Sequence, residues 1–109
     1  MSTITGYHAH VYFDATERDR AHRLCTQAGG ISGVTVGRMH DKPVGPHPRG
    51  SCQLTVQPEQ FGEFAQWAVL NRKGLTIFAH AETGDDLADH TGHVIWFGPS
   101  EPLNLSIFG

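Results

Sequence analysis

Tyr7-His8-Ala9-His10-Val11-Tyr12-Phe13 is the stretch that decides the fold. It is rich in aromatic and β-branched residues and alternates, which predicts a strand rather than a helix. Side chains alternate across a strand, so His8 and His10 project from one face, about 7 Å apart. Working outward, Asp14 and Thr16 are helix N-cap types and Glu17 follows in the first turn. Ala21, Leu24, Cys25 and Ala28 then recur at helical spacing until Gly29-Gly30, which predicts a helix over 16–28. Val34, Val36 and Arg38 lie in a short second strand. Asp41 to Gly50 holds three prolines and two glycines and can be neither helix nor central strand.

Ser51 to Gln57 alternates as a third strand, with Cys52, Leu54 and Val56 on one face. Pro58 opens a second helix whose Phe61, Phe64, Ala65, Ala68 and Val69 share a face. Leu75-Thr76-Ile77-Phe78-Ala79-His80 is a fourth strand. The polar segment 82–92 reads as a solvated loop with a Thr83-Gly84 turn. His93 to Phe97 is a fifth strand, hairpin-paired to the fourth. The proline-bearing tail is a loop with a candidate edge segment at 105–108. The order β-α-β-β-α-β is the ferredoxin-like pattern of an α+β fold. The additional strand extends the antiparallel sheet, and both helices lie on one face. Residues 1–109 form a single domain of ordinary small size. In this topology strand one is central and antiparallel to strand four, which brings His80 beside His8 and His10.

The formal charge is -3 and the basic residues are scattered, so no electrostatic field invites nucleic acid or an anionic membrane. No apolar run approaches the roughly 20 residues a membrane span needs. Cys25 and Cys52 have no CxxC spacing, and the N-terminus shows no signal peptide. Free thiols in a reducing cytoplasm are expected.

Eight histidines are available in all. A lone His-x-His can be two surface groups stacked on aromatic neighbours. A third strand histidine converging on them makes His8, His10 and His80 candidate metal ligands. Neutral imidazole suits iron, copper, nickel or zinc. Structural zinc sites usually bring closely spaced cysteines, which are lacking here. His47 stands in Gly45-Pro46-His47-Pro48, where prolines stiffen the backbone around one ring. It is a candidate ligand, acid/base or substrate-binding group. To reach the others, its loop must fold across the sheet or come from a second subunit. Arg72 and Arg38 could each hold a substrate carboxylate bidentately; equally, Arg72 could complement a helix dipole. His22 falls on the outer side of the first helix. Trp67, Trp96, Phe61 and Phe78 read as core, and Asp85-Asp86 and Asp89-His90 as a solvated polar loop. No phosphate-binding loop or Ser/His/Asp context is present.

These motifs have a recognisable combination. The chain resembles the DOPA 4,5-dioxygenase family through Tyr7 to Phe13, Gly37 to Pro48, Leu70-Asn71-Arg72 and Leu75 to Thr91. Lys42-Pro43-Val44-Gly45-Pro46-His47-Pro48 and Thr83-Gly84-Asp85-Asp86-Leu87-Ala88-Asp89-His90 contain the most specific segments. Departures are Ala81, where a proline commonly follows the strand-four histidine, and Arg49-Gly50-Ser51-Cys52, which replaces a more apolar stretch. The resemblance implies a non-haem Fe(II) enzyme that uses O2 to open a catechol ring, as in 4,5-cleavage of L-DOPA to a semialdehyde. His8, His10 and His80 are then the first-choice ligands, with His47 as acid/base or replacement ligand; His47 and His10 are the candidate catalytic residues, and His47, Arg72 and Arg38 the candidate substrate-binding residues. The usual facial triad has two histidines and one carboxylate. Glu82 is the nearest carboxylate in sequence, but alternation does not force it inward, so an all-histidine site is expected. Zn(II) is an alternative metal for the isolated protein. The competing function is a non-catalytic metal- or aromatic-ligand-binding domain. A homodimer is expected, because ferredoxin-like sheets often expose one face.

Overall fold

The computed structural model describes residues 3–109. Its elements are β1 (Gly6–Phe13), α1 (Arg18–Ala28), β2 (Val34–His40), β3 (Gly50–Val56), α2 (Phe61–Asn71), β4 (Ile77–Glu82), α3 (Asp86–Asp89) and β5 (Val94–Phe97). The strands form one antiparallel sheet in the order β2-β3-β1-β4-β5. This is the expected ferredoxin-like order, with β5 added beside β4.

Period-two alternation sorts the sheet into two chemically different faces. Ala9, Val11 and Phe13 of β1 join Cys52, Leu54 and Val56 of β3 and Ile77 and Ala79 of β4 in the main core. Ala21, Leu24, Cys25 and Ala28 of α1 and Phe64 and Ala68 of α2 close that core. Both cysteines are free thiols within it. The other face carries His8, His10 and Tyr12 from β1 and Phe78 and His80 from β4, and is roofed by loops.

Several local expectations change. Each long helix is entered through a single 3-10 turn, Ala15–Glu17 before α1 and Pro58–Gln60 before α2. At the first, the Asp14 N–H donates to Glu17 Oε1 at 2.9 Å. Val69 does not join the buried face of α2: it is 64% exposed, because Phe64 and Ala68 already fill the contact with the sheet. The tail segment Leu105–Phe108 is a 3-10 turn rather than an edge strand. Asn104 turns it by accepting from the Ser106 N–H, and its own N–H donates to the Pro46 carbonyl.

The segment 82–92 is not a solvated loop. It contains the single-turn helix α3, started by Asp85, which accepts from the Ala88 N–H. Asp89 is buried, where its carboxylate accepts from the Thr83 N–H at 2.8 Å and the Thr83 hydroxyl at 2.6 Å. His93 Nδ1 lies 2.8 Å from the same carboxylate. Burial raises the Asp89 carboxyl, but these hydrogen bonds outweigh it and hold it at about 2. Among the described residues no helix is long and apolar enough to cross a membrane.

Candidate metal centre

Pairing of β1 with β4 sets His8 directly opposite His80 and His10 opposite Phe78. The expected meeting of the start of β1 with the end of β4 is therefore present. One side-chain nitrogen from each of His8, His10 and His80 lies within 4.8 Å of the others. His10 Nε2 and His80 Nε2 are 3.1 Å apart. Two imidazole nitrogens bound about 2.1 Å from one ion sit about 3 Å apart, so this spacing fits a shared metal.

The neighbours of these rings also suit ligation. The Ala81 carbonyl lies 3.1 Å from His80 Nδ1 and can only accept, so Nδ1 carries the proton and Nε2 keeps its lone pair. Glu82, whose orientation alternation left open, turns its Oε1 to within 2.8 Å of His8 Nδ1 and 3.5 Å of His80 Nδ1. A carboxylate there favours a proton on Nδ1 and frees Nε2, the usual support behind a metal-bound histidine. Glu82 thus stands behind the cluster. Burial holds His80 at about 4, despite the Ala81 contact. Burial, together with the surrounding histidines, pushes His10 well below the ordinary histidine value. At neutral pH these are uncharged donors, as ligation requires.

His47 reaches the cluster within its own chain, because the loop between β2 and β3 folds across the sheet. Its N–H closes a turn onto the Val44 carbonyl, and Gly45 takes a φ of +53° beside it. Arg49 anchors the loop's end through Glu101, Asp14 and Glu17. The His47 ring packs 4.0 Å from that of His10, and its Nδ1 is 2.8 Å from the Tyr12 hydroxyl. Burial lowers His47 to about 4.

His90 was not singled out by sequence, yet its ring stacks on His80 at 4.0 Å and under Phe108 at 4.6 Å. Its Nδ1 donates to the Asp86 carbonyl at 2.7 Å. Phe78 is buried, but on the histidine face, where it contacts Trp96 at 4.5 Å and flanks His10 and His80. The five histidines of this face and Phe108 bound an open cleft of about 350 Å³, with Gln53, Glu82, Asp86 and the Val44-Gly45-Pro46 turn on its walls. That volume suits a single aromatic ring with a short side chain.

Arg72 and Arg38 do not line this cleft. Arg72 caps the C-terminus of α2 and donates to the Leu75 carbonyl at 3.1 Å, its helix-end role. Arg38 lies exposed on the edge strand β2. His22 is exposed on α1, and His40 and His93 also stand outside the cleft.

The model of the Dopa 4,5-dioxygenase family matches residues 7–107. The chain belongs to that family. The DOPA 4,5-dioxygenase of Amanita muscaria is 37% identical over 115 residues, covering 96% of this chain and 50% of that protein. A Botryotinia fuckeliana protein of 21.2 kDa, described as uncharacterized, is 38% identical over 82 residues, covering 68% of this chain and 45% of its own length. This chain thus spans about half the length of these fungal relatives. A crystal structure from Nostoc punctiforme, of a protein assigned provisionally as a dioxygenase, superposes with a TM-score of 0.92. That match is 46% identical and covers 95% of this chain and 90% of the other.

Proposed function

We propose that this chain is a ring-cleaving extradiol dioxygenase acting on a catechol such as L-DOPA, with Fe(II) held by His8, His10 and His80. The observation that carries the reading is the convergence of three imidazoles on one face of β1 and β4, in a member of this family. Bound Fe(II) would supply the electrons that O2 activation needs and a common seat for both reactants. An all-histidine set leaves positions free for both oxygens of a catechol.

The protein's own groups have distinct roles in this reading. Phe108 and the Val44-Gly45-Pro46 turn provide the apolar walls against which the ring would pack, while Phe78, backed by Trp96, supports His10 and His80 from beneath. His47, neutral and buried beside His10, supplies a hydrogen bond where charge develops on oxygen. In 4,5-cleavage of L-DOPA the C4–C5 bond breaks and both atoms of O2 enter the product, one as aldehyde and one in the carboxylate. Atoms and electrons balance without an external reductant. A reducing, cytoplasmic setting accords with the two free buried thiols. A homodimer accords with the exposed apolar side chains Leu87 and Ile107, which line a second surface depression with Phe108.

Anaerobic loading with Fe(II), followed by L-DOPA and air, should consume one O2 per catechol and give a yellow product. Iron binding without O2 uptake across a panel of catechols would leave a non-catalytic metal-binding domain instead.

A further inference from the structure

Four histidine rings stand in a row along the cleft. His47 packs on His10 at one end, and His90 packs on His80 at the other, each pair at 4.0 Å. The outer two rings have Nδ1 engaged by a protein partner, which leaves only Nε2 for a molecule in the cleft. Their partners differ in kind. His90 Nδ1 faces the Asp86 carbonyl at 2.7 Å. A carbonyl has no proton to give, so in the neutral ring Nδ1 is protonated and Nε2 carries a lone pair.

His47 Nδ1 faces the phenol of Tyr12 at 2.8 Å, and a phenol can donate or accept. Burial decides between the two. Tyr12 is fully buried, and among the described residues its hydroxyl has no other hydrogen-bond partner. A proton on His47 Nδ1 would leave the Tyr12 O–H buried without an acceptor, disfavouring that form by roughly 5- to 150-fold. Donation from Tyr12 satisfies both groups and puts the His47 proton on Nε2.

We propose that Tyr12 is a positioning residue that fixes His47 as a hydrogen-bond donor to the cleft, while the Asp86 carbonyl fixes His90 as the opposing acceptor. The cleft is polarised from end to end by these two tautomers. A dihydroxylated ring then has a defined orientation: one hydroxyl gives its hydrogen bond to His90, and the oxygen on which charge develops faces His47. The orientation of substrate rests on the catechol reading above. The tautomers themselves do not.

Protein labelled with 15N-histidine, metal-free and loaded with diamagnetic Zn(II), tests this by long-range 1H–15N correlation, which reports the protonated ring nitrogen. His47 should appear as the Nε2–H form and His90 as the Nδ1–H form. Tyr12→Phe should convert His47 to a mixture of tautomers and leave His90 unchanged. With Fe(II) and a catechol, the same variant should lower kcat about ten-fold with KM within about two-fold, because the donor is lost from the charged state and not from ring binding. His90→Phe should keep the metal and lose turnover. A wild-type His47 protonated on Nδ1, a His90 protonated on Nε2, or an unchanged His47 in Tyr12→Phe overturns the proposal. The predicted tautomers in a protein that turns over no catechol would uphold this inference and sink the catechol reading. If Tyr12→Phe does not fold, the wild-type spectrum alone decides.

Discussion

Acid should unfold the metal-free protein through the same histidines that would bind metal. His47 and His80 titrate at 6.5 in an ordinary setting but at about 4 in the fold, chiefly through burial. The unfolded chain therefore binds more protons than the folded chain across that window. Stability from these groups is fully present above pH 6.5 and is lost as pH falls towards 4. At a pH of about 4.5 each histidine has removed about 2–3 kcal/mol, or about 5 kcal/mol for the two. His10 adds in the same direction. Domains of this kind are stable by only about 5–15 kcal/mol, so the loss is large. Urea unfolding followed by Trp67 and Trp96 fluorescence, at pH of about 7 and about 4.5, should show the midpoint falling by about 2–4 M. His47→Gln should flatten the dependence by about 2–3 kcal/mol. A midpoint that moves by less than about 0.5 M across this range would refute the placement of neutral imidazoles in a dry cluster.

Other positions give sharp expectations. Glu82→Gln keeps the size of the side chain but removes the charge beside His8, so metal affinity should fall about 10- to 100-fold in a chelator competition. Asp89→Asn disturbs a buried carboxylate that accepts twice from Thr83 and faces His93; denaturant unfolding should show a loss of about 2–4 kcal/mol. Arg72→Ala should leave metal stoichiometry and KM for a catechol unchanged, because Arg72 serves the end of α2 outside the cleft.

The fold was legible wherever a period ran long enough to be read. Alternation through β1 and β4 placed His8, His10 and His80 on one face, and the helical spacing of Ala21, Leu24, Cys25 and Ala28 placed the core on the other. Val69 was misplaced because the width of an apolar stripe does not reveal how much of it the sheet can cover. His90 was missed because α3 is a single turn, too short for periodicity. Its local signals are Asp85 standing three residues before Ala88 as a cap and its place at the end of the family-like segment Thr83 to His90. Asp89 looked like a solvated charge because its partners include Thr83, six residues back across a turn. Tyr12 read only as a strand aromatic. Its role as a partner of His47 depends on a loop crossing the sheet, which sequence offered as one of two routes.

The central claim is that His8, His10 and His80 together hold one metal ion. Anomalous diffraction from crystals grown anaerobically with Fe(II) tests it most directly. The account predicts one ion per chain, bound by those three imidazoles and no other protein ligand, with Glu82 behind His8. An ion bound elsewhere, or a cluster that stays empty at saturating Fe(II) and Zn(II), would contradict it.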